Sequence, residues 1–428
     1  MKRTQIKQIK EHISKQICIK GFVQKIRGQS KIKFLILRDI TGTIQCICTS
    51  KDESLFEQIS KITPESVVSI IGLVKEEKQA PSGVELKIEK IEILSLSEDL
   101  PIQVIEKNKT ETTLPKRLDY RWIDIRKTDK LKIFQVWTSL EIGMRKYFEK
   151  EKFMQIYTPS FMSTPSESGA EVFEVKYFET TAYLSQSPQF YKQMALAGGF
   201  EKVFVVGPVF RAEKSNTTRH LTQFTGWDFE VSYVDEIKEL IDIEEDMIIS
   251  CFKQIEIDKL IDIKIPQKPF PTITMKQAKE ILKLEKIKSE KDYDLSPEEE
   301  RKLSQIIEKK FKHEFVFLTD FPTQGRPFYH KRYDEDKTLT KSFDLLYKGI
   351  EITTGAIREH KLEILKKQAI DKEMDLESLE QYFEFFKYGC PPHGGCGLGP
   401  ERIIMKLLDL ETIKEATLLP RDVTRLTP

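Results

Sequence analysis

Residues 207–230, GPVFRAEKSNTTRHLTQFTGWDFE, decide how this chain is read. A hydrophobic strand, Val203 to Val209, runs into Phe210-Arg211-Ala212-Glu213. A polar loop follows, and Arg219-His220-Leu221 then leads to Phe224 and Asp228. An arginine forks onto a phosphate with two parallel N–H donors, which a lysine cannot do. Glu213, two residues beyond Arg211 along the strand, shares its face and can accept a hydrogen bond from an adenine amine. Arg219 and His220 reach further phosphate oxygens, and Phe224 offers a ring on which a base can stack. An isolated FRxE reads as an amphipathic hairpin with solvated charges. Here the pattern is sustained through residue 230, and it reads as a nucleotide site.

The stretch resembles motif 2 of the class II aminoacyl-tRNA synthetases, and RHLTxFxGxDxE is the wording of their aspartyl enzymes of archaeal and eukaryotic type. A resemblance to motif 3 follows near the end, Gly394-Gly395-Cys396-Gly397-Leu398-Gly399-Pro400-Glu401-Arg402. Glycines let backbone pass close to a nucleotide because no Cβ obstructs it. A helix, Ile403 to Leu408, would present Arg402 at its start. The resemblance implies ATP contacts from Arg211, Glu213, Arg219, His220, Leu221, Phe224, Glu351, Gly399 and Arg402, with Arg402 over the adenine and reaching the γ-phosphate. Of these, Arg211, His220 and Arg402 carry catalysis. Two residues depart from the family pattern. Pro400 stands where an aliphatic residue or alanine is usual, and a first helical turn tolerates proline. Gln223 stands where most relatives have glutamate, near the expected adenylate.

A chain of 428 residues exceeds the ceiling of about 250 for a single core, so two or three domains are expected. The 39% hydrophobic and 32% charged composition suits ordinary cores and a cytosolic surface. The apolar runs, such as Lys202 to Phe210, fall far short of the roughly 20 residues that cross a bilayer. The basic start MKRTQIKQIK lacks an apolar h-region, so a cytoplasmic protein is expected. Cysteines 18, 46, 48, 251, 390 and 396 form no CxxC pair and read as reduced thiols, with Cys46 and Cys48 on one face of a strand.

The net charge of +1 hides an asymmetry. Residues 1–50 hold eleven Lys and Arg against two acids, a net of +9 that suits a polyanion partner. This head reads as short strands, Ile17–Val23, Phe34–Asp39, Thr43–Cys48, Val67–Val74 and Val84–Ile93, with a helix at Ser54–Lys61 and a hairpin at Asp39-Ile40-Thr41-Gly42. That pattern matches a five-stranded OB-fold barrel, a scaffold for nucleic acid. It resembles the anticodon-binding domain of the same synthetases. The resemblance gives Phe34 a stacking role and Gln45 a hydrogen-bonding role on the central anticodon base, and Glu85 a contact to the third. Read alone, Phe34 is a core aromatic. Gln24 and the loop Ala80-Pro81-Ser82-Gly83 lie where tRNA choice would be set. A proline there accompanies relaxed specificity in archaeal relatives, which leans toward tRNA(Asn) as an acceptor beside tRNA(Asp).

The expected organisation is therefore α+β: an N-terminal five-stranded OB-fold barrel over residues 1–103, a hinge over 104–128, and a class II catalytic domain over 129–428. The catalytic domain should hold an antiparallel sheet flanked by helices. A helix from Lys130 to Lys152 carries Ile133, Val136, Leu140 and Met144 on one face. It leads into Phe153-Met154-Gln155-Ile156-Tyr157-Thr158-Pro159, which resembles motif 1 and implies a homodimer. The lysine- and glutamate-rich stretch from Ile257 to Phe315 reads as a helical insertion that covers the sheet without chemistry of its own.

Smaller signals bear on the amino acid. Ser185-Gln186-Ser187-Pro188-Gln189-Phe190-Tyr191-Lys192 resembles the aspartyl version of this segment. The resemblance sets Lys192 and Arg358 around the substrate side-chain carboxylate, where a neutral amide would leave two buried cations uncompensated. It assigns Glu167, Gln189 and Asp228 to the α-amino group and backbone of the amino acid, and places Thr354 in the same pocket. Asp344 and Glu351, flanking a break at Lys348-Gly349, read as two solvated acids by themselves. The family uses them with Thr354, here in place of serine, as ligands for Mg²⁺, a hard cation that favours oxygen. The partners implied are ATP, L-aspartate and tRNA. The alternatives are an asparaginyl-tRNA synthetase, a tRNA-independent asparagine synthetase on the same core, and a non-catalytic tRNA-binding paralogue.

Overall fold

A computed structural model of the protein describes residues 1–29, 31–105, 112–164, 171–215 and 217–428. The chain divides into two compact units, Met1–Asp124 and Ile125–Pro428. The expected hinge is thus split: the short helices Leu114–Asp119 and Arg121–Asp124 belong to the first unit, and residues 106–111 lie outside the description.

The first unit holds a closed barrel of strands β1 (Gln16–Gln29), β2 (Ile32–Asp39), β3 (Gly42–Thr49), β4 (Val67–Glu76) and β5 (Val84–Ser95), ordered β1-β2-β3-β5-β4. A helix, Glu53–Ser60, follows β3 and is capped by the Asp52 carboxylate, which accepts from Leu55 N. Alternation sorts the side chains. Leu35, Leu37, Ile44, Cys46, Ile70 and Leu86 are buried in the barrel core. Phe34, Ile36, Gln45 and Ile47, out of phase by one, point to the outer face. Asp39 pairs with Gly42, and its carboxylate accepts from Thr41 N and Oγ1, closing the expected hairpin.

The second unit is built on an eight-stranded sheet. From edge to edge it runs Thr272–Thr274, Phe315–Pro322, Leu339–Tyr347, Ile350–Arg358, His393–Leu398, Gln223–Ser232, Lys202–Phe210 and Met154–Gln155. The six inner strands are antiparallel, while the pairs at both edges are parallel, so the sheet is mixed. The helices Thr128–Lys150 and Ile237–Asp258 cover one face, with Ile133, Val136, Leu140 and Met144 all buried. They cross closely at Gly143, where a Cβ would sit 2.5 Å from Cys251 Cα. The insertion supplies the edge strand Thr272–Thr274 and two helices, Met275–Leu284 and Pro297–Phe311, which pack Met275, Leu282, Leu303 and Ile307 against Val316, Leu318 and Leu346. All six cysteines are free thiols. None of the described helices is long and apolar enough to cross a membrane.

Candidate active site

The open face of the sheet is laid out by register. Asp228 pairs with Gly397, Gly397 with Thr354, and Thr354 with Asp344, so these four form one row across neighbouring strands. Two residues along, Glu230, Gly395 and Ala356 form the next row on the same face. The glycines of the His393–Leu398 strand make room for the acids beside them. A Cβ on Gly395 would lie 2.1 Å from the Phe229 carbonyl oxygen and 2.5 Å from Glu230 Oε2. On Gly397 it would lie 2.9 Å from Asp228 Oδ2.

A β-bulge completes the layout. Leu345 pairs with Thr353 and Leu346 with Glu351, leaving Ile352 as the extra residue. Residues three apart on a regular strand face opposite sides. The bulge absorbs one of them, so Glu351 and Thr354 share the open face, with Thr354 Oγ1 3.4 Å from Glu351 Oε1. The turn between the two strands uses Lys348 at φ 46° and Gly349 at φ 79°, the pair of left-handed residues that a two-residue hairpin favours.

Above these rows lies a cavity of about 460 Å³. Its lining brings together Gln189, Arg211, Glu213, Arg219, His220, Leu221, Phe224, Asp228, Glu351, Thr354, Arg358, Gly399 and Arg402. Lys192 and Asp344 lie beneath the lining instead, and Glu167 falls outside the described residues.

At one end sit the motif 2 residues. The strand Lys202–Phe210 stops at Phe210, so Arg211 and Glu213 occupy an irregular segment rather than a continuing strand, which corrects the period-two reading. Arg211 N still donates to Thr222 O at 2.9 Å, one step past the ladder. Its guanidinium lies 5.4 Å from the Phe224 ring centre and 3.6 Å from Glu213. His220 Nδ1 is 2.6 Å from Thr217 Oγ1. Burial, with Arg402 nearby, lowers the His220 pKa below its ordinary value. Pro400 opens the helix Pro400–Leu407 at its first position, and Glu401 fixes that helix to motif 2 by accepting from Thr225 N at 2.7 Å. Arg402 donates to the Glu351 carbonyl at 2.7 Å.

At the other end two cations are buried among carboxylates. Lys192 is 0% exposed, with Nζ 2.7 Å from Asp228 Oδ2, 3.1 Å from the Cys396 carbonyl and 3.2 Å from Glu230 Oε2. Arg358 donates to both oxygens of Glu230, at 2.8 and 3.4 Å, and to the Gly395 carbonyl at 2.9 Å. Burial alone would raise the Glu230 pKa. Arg358 and Lys192 overcome that and hold it below its ordinary value, so Glu230 stays a carboxylate. His330 Nε2 accepts from Arg358 Nη1 at 3.0 Å, and burial followed by the Arg358 charge keeps this imidazole neutral. Nδ1 therefore carries the proton, and it meets no acceptor among the described residues. Behind them Tyr382 Oη donates to Gln193 Oε1, and Gln193 Nε2 lies 2.9 Å from His393 Nε2. Burial lowers the His393 pKa to about 4, so that imidazole is neutral as well.

The carboxylates near the bulge bear on metal. Glu351 faces the cavity. Asp344 is 5% exposed and held bidentately by Arg326, at 2.9 and 2.6 Å. Burial, with Glu351 adding to it, pushes the Asp344 pKa to about 6 despite Arg326. Asp344 thus lies behind the cavity lining with each oxygen engaged by Arg326. Among the described residues no three His, Cys, Asp or Glu side chains form a metal cage. The donor set still fits Mg²⁺, which keeps waters and needs only one or two carboxylates beside phosphate oxygens.

Four residues at this site escaped the sequence reading: Glu230, His330, Arg326 and Glu300. Glu230 was within reach, because it stands two residues beyond Asp228 and must share its face. Glu300 brings the insertion against the motif 2 segment. It lies 2.7 Å from Arg219 Nη2, and burial raises its pKa to about 7.

The family model for class II tRNA synthetases (D, K and N) matches residues 113–423, and that for the OB-fold nucleic acid binding domain matches residues 17–94. The chain belongs to the class II tRNA synthetases. This synthetase is 40% identical over 423 residues to an aspartate–tRNA(Asp/Asn) ligase of Aeropyrum pernix, covering 95% of this chain and 94% of that one. It is 40% identical over 418 residues to an aspartate–tRNA(Asp) ligase of Thermoplasma volcanium, covering 96% of each. A crystal structure of asparaginyl-tRNA synthetase from Pyrococcus horikoshii complexed with asparaginyl-adenylate matches with a TM-score of 0.93 at 30% identity, covering 100% of both chains.

Proposed function

We propose that this synthetase activates L-aspartate with ATP and transfers the aspartyl group to tRNA(Asp), with tRNA(Asn) as a second acceptor. The observation that carries the choice of aspartate is Arg358, a buried cation lining the cavity, with Lys192 buried beneath the lining. Asp228 and Glu230 already compensate both cations, so a neutral amide would not leave them bare as expected. The preference rests on the stronger, charge-assisted hydrogen bond that Arg358 can share with an arriving carboxylate.

The aspartate α-carboxylate oxygen forms a bond to the α-phosphorus of ATP while the bond to the β-phosphate bridging oxygen breaks, giving aspartyl-adenylate and pyrophosphate. The terminal adenosine hydroxyl of tRNA then attacks the activated carbonyl, forms the ester, loses its proton and releases AMP. No side chain forms a covalent bond, so the protein contributes positioning and charge neutralisation. Arg211 meets the α-phosphate. Arg219, His220 and Arg402 meet the leaving pyrophosphate, and Phe224 and Glu213 hold the adenine. Gln189 and Asp228, with Glu167, orient the α-amino group. Glu351, with Thr354 and with Asp344 once it is free of Arg326, would hold Mg²⁺. When bound, the ion neutralises phosphate charge.

The asparaginyl alternative draws support from the likeness to the Pyrococcus horikoshii structure. ATP–pyrophosphate exchange with each amino acid separates the two. Exchange with asparagine and not with aspartate would overturn the proposal. Charging of purified tRNA(Asp) and tRNA(Asn) side by side tests the second acceptor. A protein of this function works in the cytoplasm.

On the barrel, Gln45 Nε2 donates to Glu85 Oε2 at 3.1 Å, and Phe34 stands diagonal to Gln45 on the outer face. Phe34 is half-buried and outside the core cluster, which leaves its ring available to a base. Phe34→Ala and Gln45→Ala are expected to weaken aminoacylation by about 1–3 kcal/mol of lost base contact while leaving pyrophosphate exchange unchanged. A parallel fall in both activities would make these residues structural.

The motif 1 strand Met154–Gln155 lies beside Lys202–Phe210, and apolar side chains nearby are exposed: Met154 at 48%, Tyr157 at 83%, Phe161 at 53% and Phe178 at 78%. A two-fold pair of chains would cover them. Sedimentation at micromolar concentration is expected to show a dimer, and an active species of 50.0 kDa would refute it.

A further inference from the structure

Two adjacent acids of the insertion do different work. The helix Pro297–Phe311 is capped by Ser296, and Glu299 closes the capping box, its oxygens accepting from Ser296 N and Lys279 Nζ at 2.8 Å each. Glu300 has no part in that cap. One residue on, it is rotated by about 100° around the helix and meets the motif 2 segment. It is 5% exposed, and its Oε2 lies 2.7 Å from Arg219 Nη2, within ion-pair reach though off the line of a hydrogen bond. Arg219 is the only cation within 4.0 Å of it among the described residues. The described residues leading to Arg219, 211–215 and 217–218, lie in no helix or strand that would fix a long side chain. The guanidinium nevertheless sits at the end of the cavity occupied by Arg402 and Glu351, whose charges both act on Glu300.

We propose that Glu300 is a positioning residue of the ATP site, through which the insertion holds the Arg219 guanidinium at the polyphosphate end of the cavity. This rests on the reading that Arg219 meets the polyphosphate. A buried carboxylate at ion-pair distance restricts the rotamers of Arg219 before ATP arrives, so less ordering remains for binding. Glu300 touches no substrate, and its effect passes entirely through Arg219.

The test is ATP–pyrophosphate exchange on the full-length protein with Glu300→Ala, Glu300→Gln, Arg219→Ala and the double variant Arg219→Ala/Glu300→Ala. Glu300→Ala is expected to raise KM for ATP about tenfold, with KM for aspartate within about twofold and the melting temperature nearly unchanged. Glu300→Gln, which keeps the shape and loses the charge, is expected to fall between. The double variant is expected to be no worse than Arg219→Ala, because a residue acting through another has nothing left to act on. An unchanged ATP KM in Glu300→Ala, equal rises in both KM values with a lower melting temperature, or full additivity in the double variant would each overturn the proposal. If Arg219→Ala itself leaves KM for ATP unchanged, the reading of Arg219 fails first. If Arg219→Ala raises it and Glu300→Ala does not, only the positioning role fails.

Discussion

Replacing Lys192 by glutamate is expected to abolish aspartate-dependent ATP–pyrophosphate exchange. The side chain is 0% exposed and stands 2.7 Å from Asp228 and 3.2 Å from Glu230. The substitution therefore does more than remove a cation from the amino-acid pocket. It puts a third carboxylate against two others, with Arg358 left as the nearest counter-charge to Glu230. Breaking one partner of a buried ion pair costs roughly 3–5 kcal/mol, or two to four decades in kcat/KM. Lys192→Met separates the two contributions, because it fills the same volume without charge. It is expected to fold with a lowered melting temperature, because Asp228 loses the cation beside it, and to lose about two decades of aspartate exchange. Exchange within about tenfold of the parent protein in Lys192→Met would exclude this residue from aspartate selection.

Much of this arrangement is legible before any coordinates. Period-two alternation gives the five barrel strands, which run longer in the structure than in the sequence reading because the hydrogen-bond ladder continues past the buried positions. Period 3.6 gives the Thr128–Lys150 helix and its buried face. The order of the two glycine- and arginine-bearing motifs gives the site, because strands Lys202–Phe210, Gln223–Ser232 and His393–Leu398 bring them side by side.

What escaped the sequence depends on contacts between distant segments, or on a local break in periodicity. Glu300 reaches Arg219 across 81 positions of sequence, and no periodicity within either segment records that. The Ser296-x-x-Glu299 capping box was the nearest signal, since assigning Glu299 to the cap leaves its neighbour facing elsewhere. Arg326 holds Asp344 from a separate connection, and a pattern of acids cannot show that one of them is already taken. The bulge at Ile352 inverts the facing of one residue in a strand that otherwise alternates, and it alone makes Glu351 and Thr354 neighbours. Arg211 and Glu213 fail the strand rule for the converse reason: the ladder ends at Phe210, so the two-residue repeat that was assumed for them does not apply.

Arg211→Lys carries the other large expected effect, because it keeps the charge and removes the geometry. Arg211 is half-exposed, with its guanidinium plane backed by Phe224 at 5.4 Å and flanked by Glu213 at 3.6 Å. That setting restricts a planar group and does little for an ammonium, which has no face to stack and no fork to align. In the transition state the α-phosphorus carries extra charge on its equatorial oxygens. Two parallel N–H donors fixed before the reaction stabilise that charge without reorganising. Lysine offers one mobile donor in their place. The expected result is a fall of about 10²–10³ in kcat for exchange, the scale on which losing a fixed oxyanion donor is felt. KM for ATP should move by less, since an ammonium still attracts the triphosphate. The melting temperature should hold, because the ion pair to Glu213, the only one Arg211 makes among the described residues, is partly solvated and contributes about 1 kcal/mol or less. If kcat stays within about tenfold while KM alone rises, Arg211 binds ATP without favouring the transition state, and the α-phosphate role passes to another group.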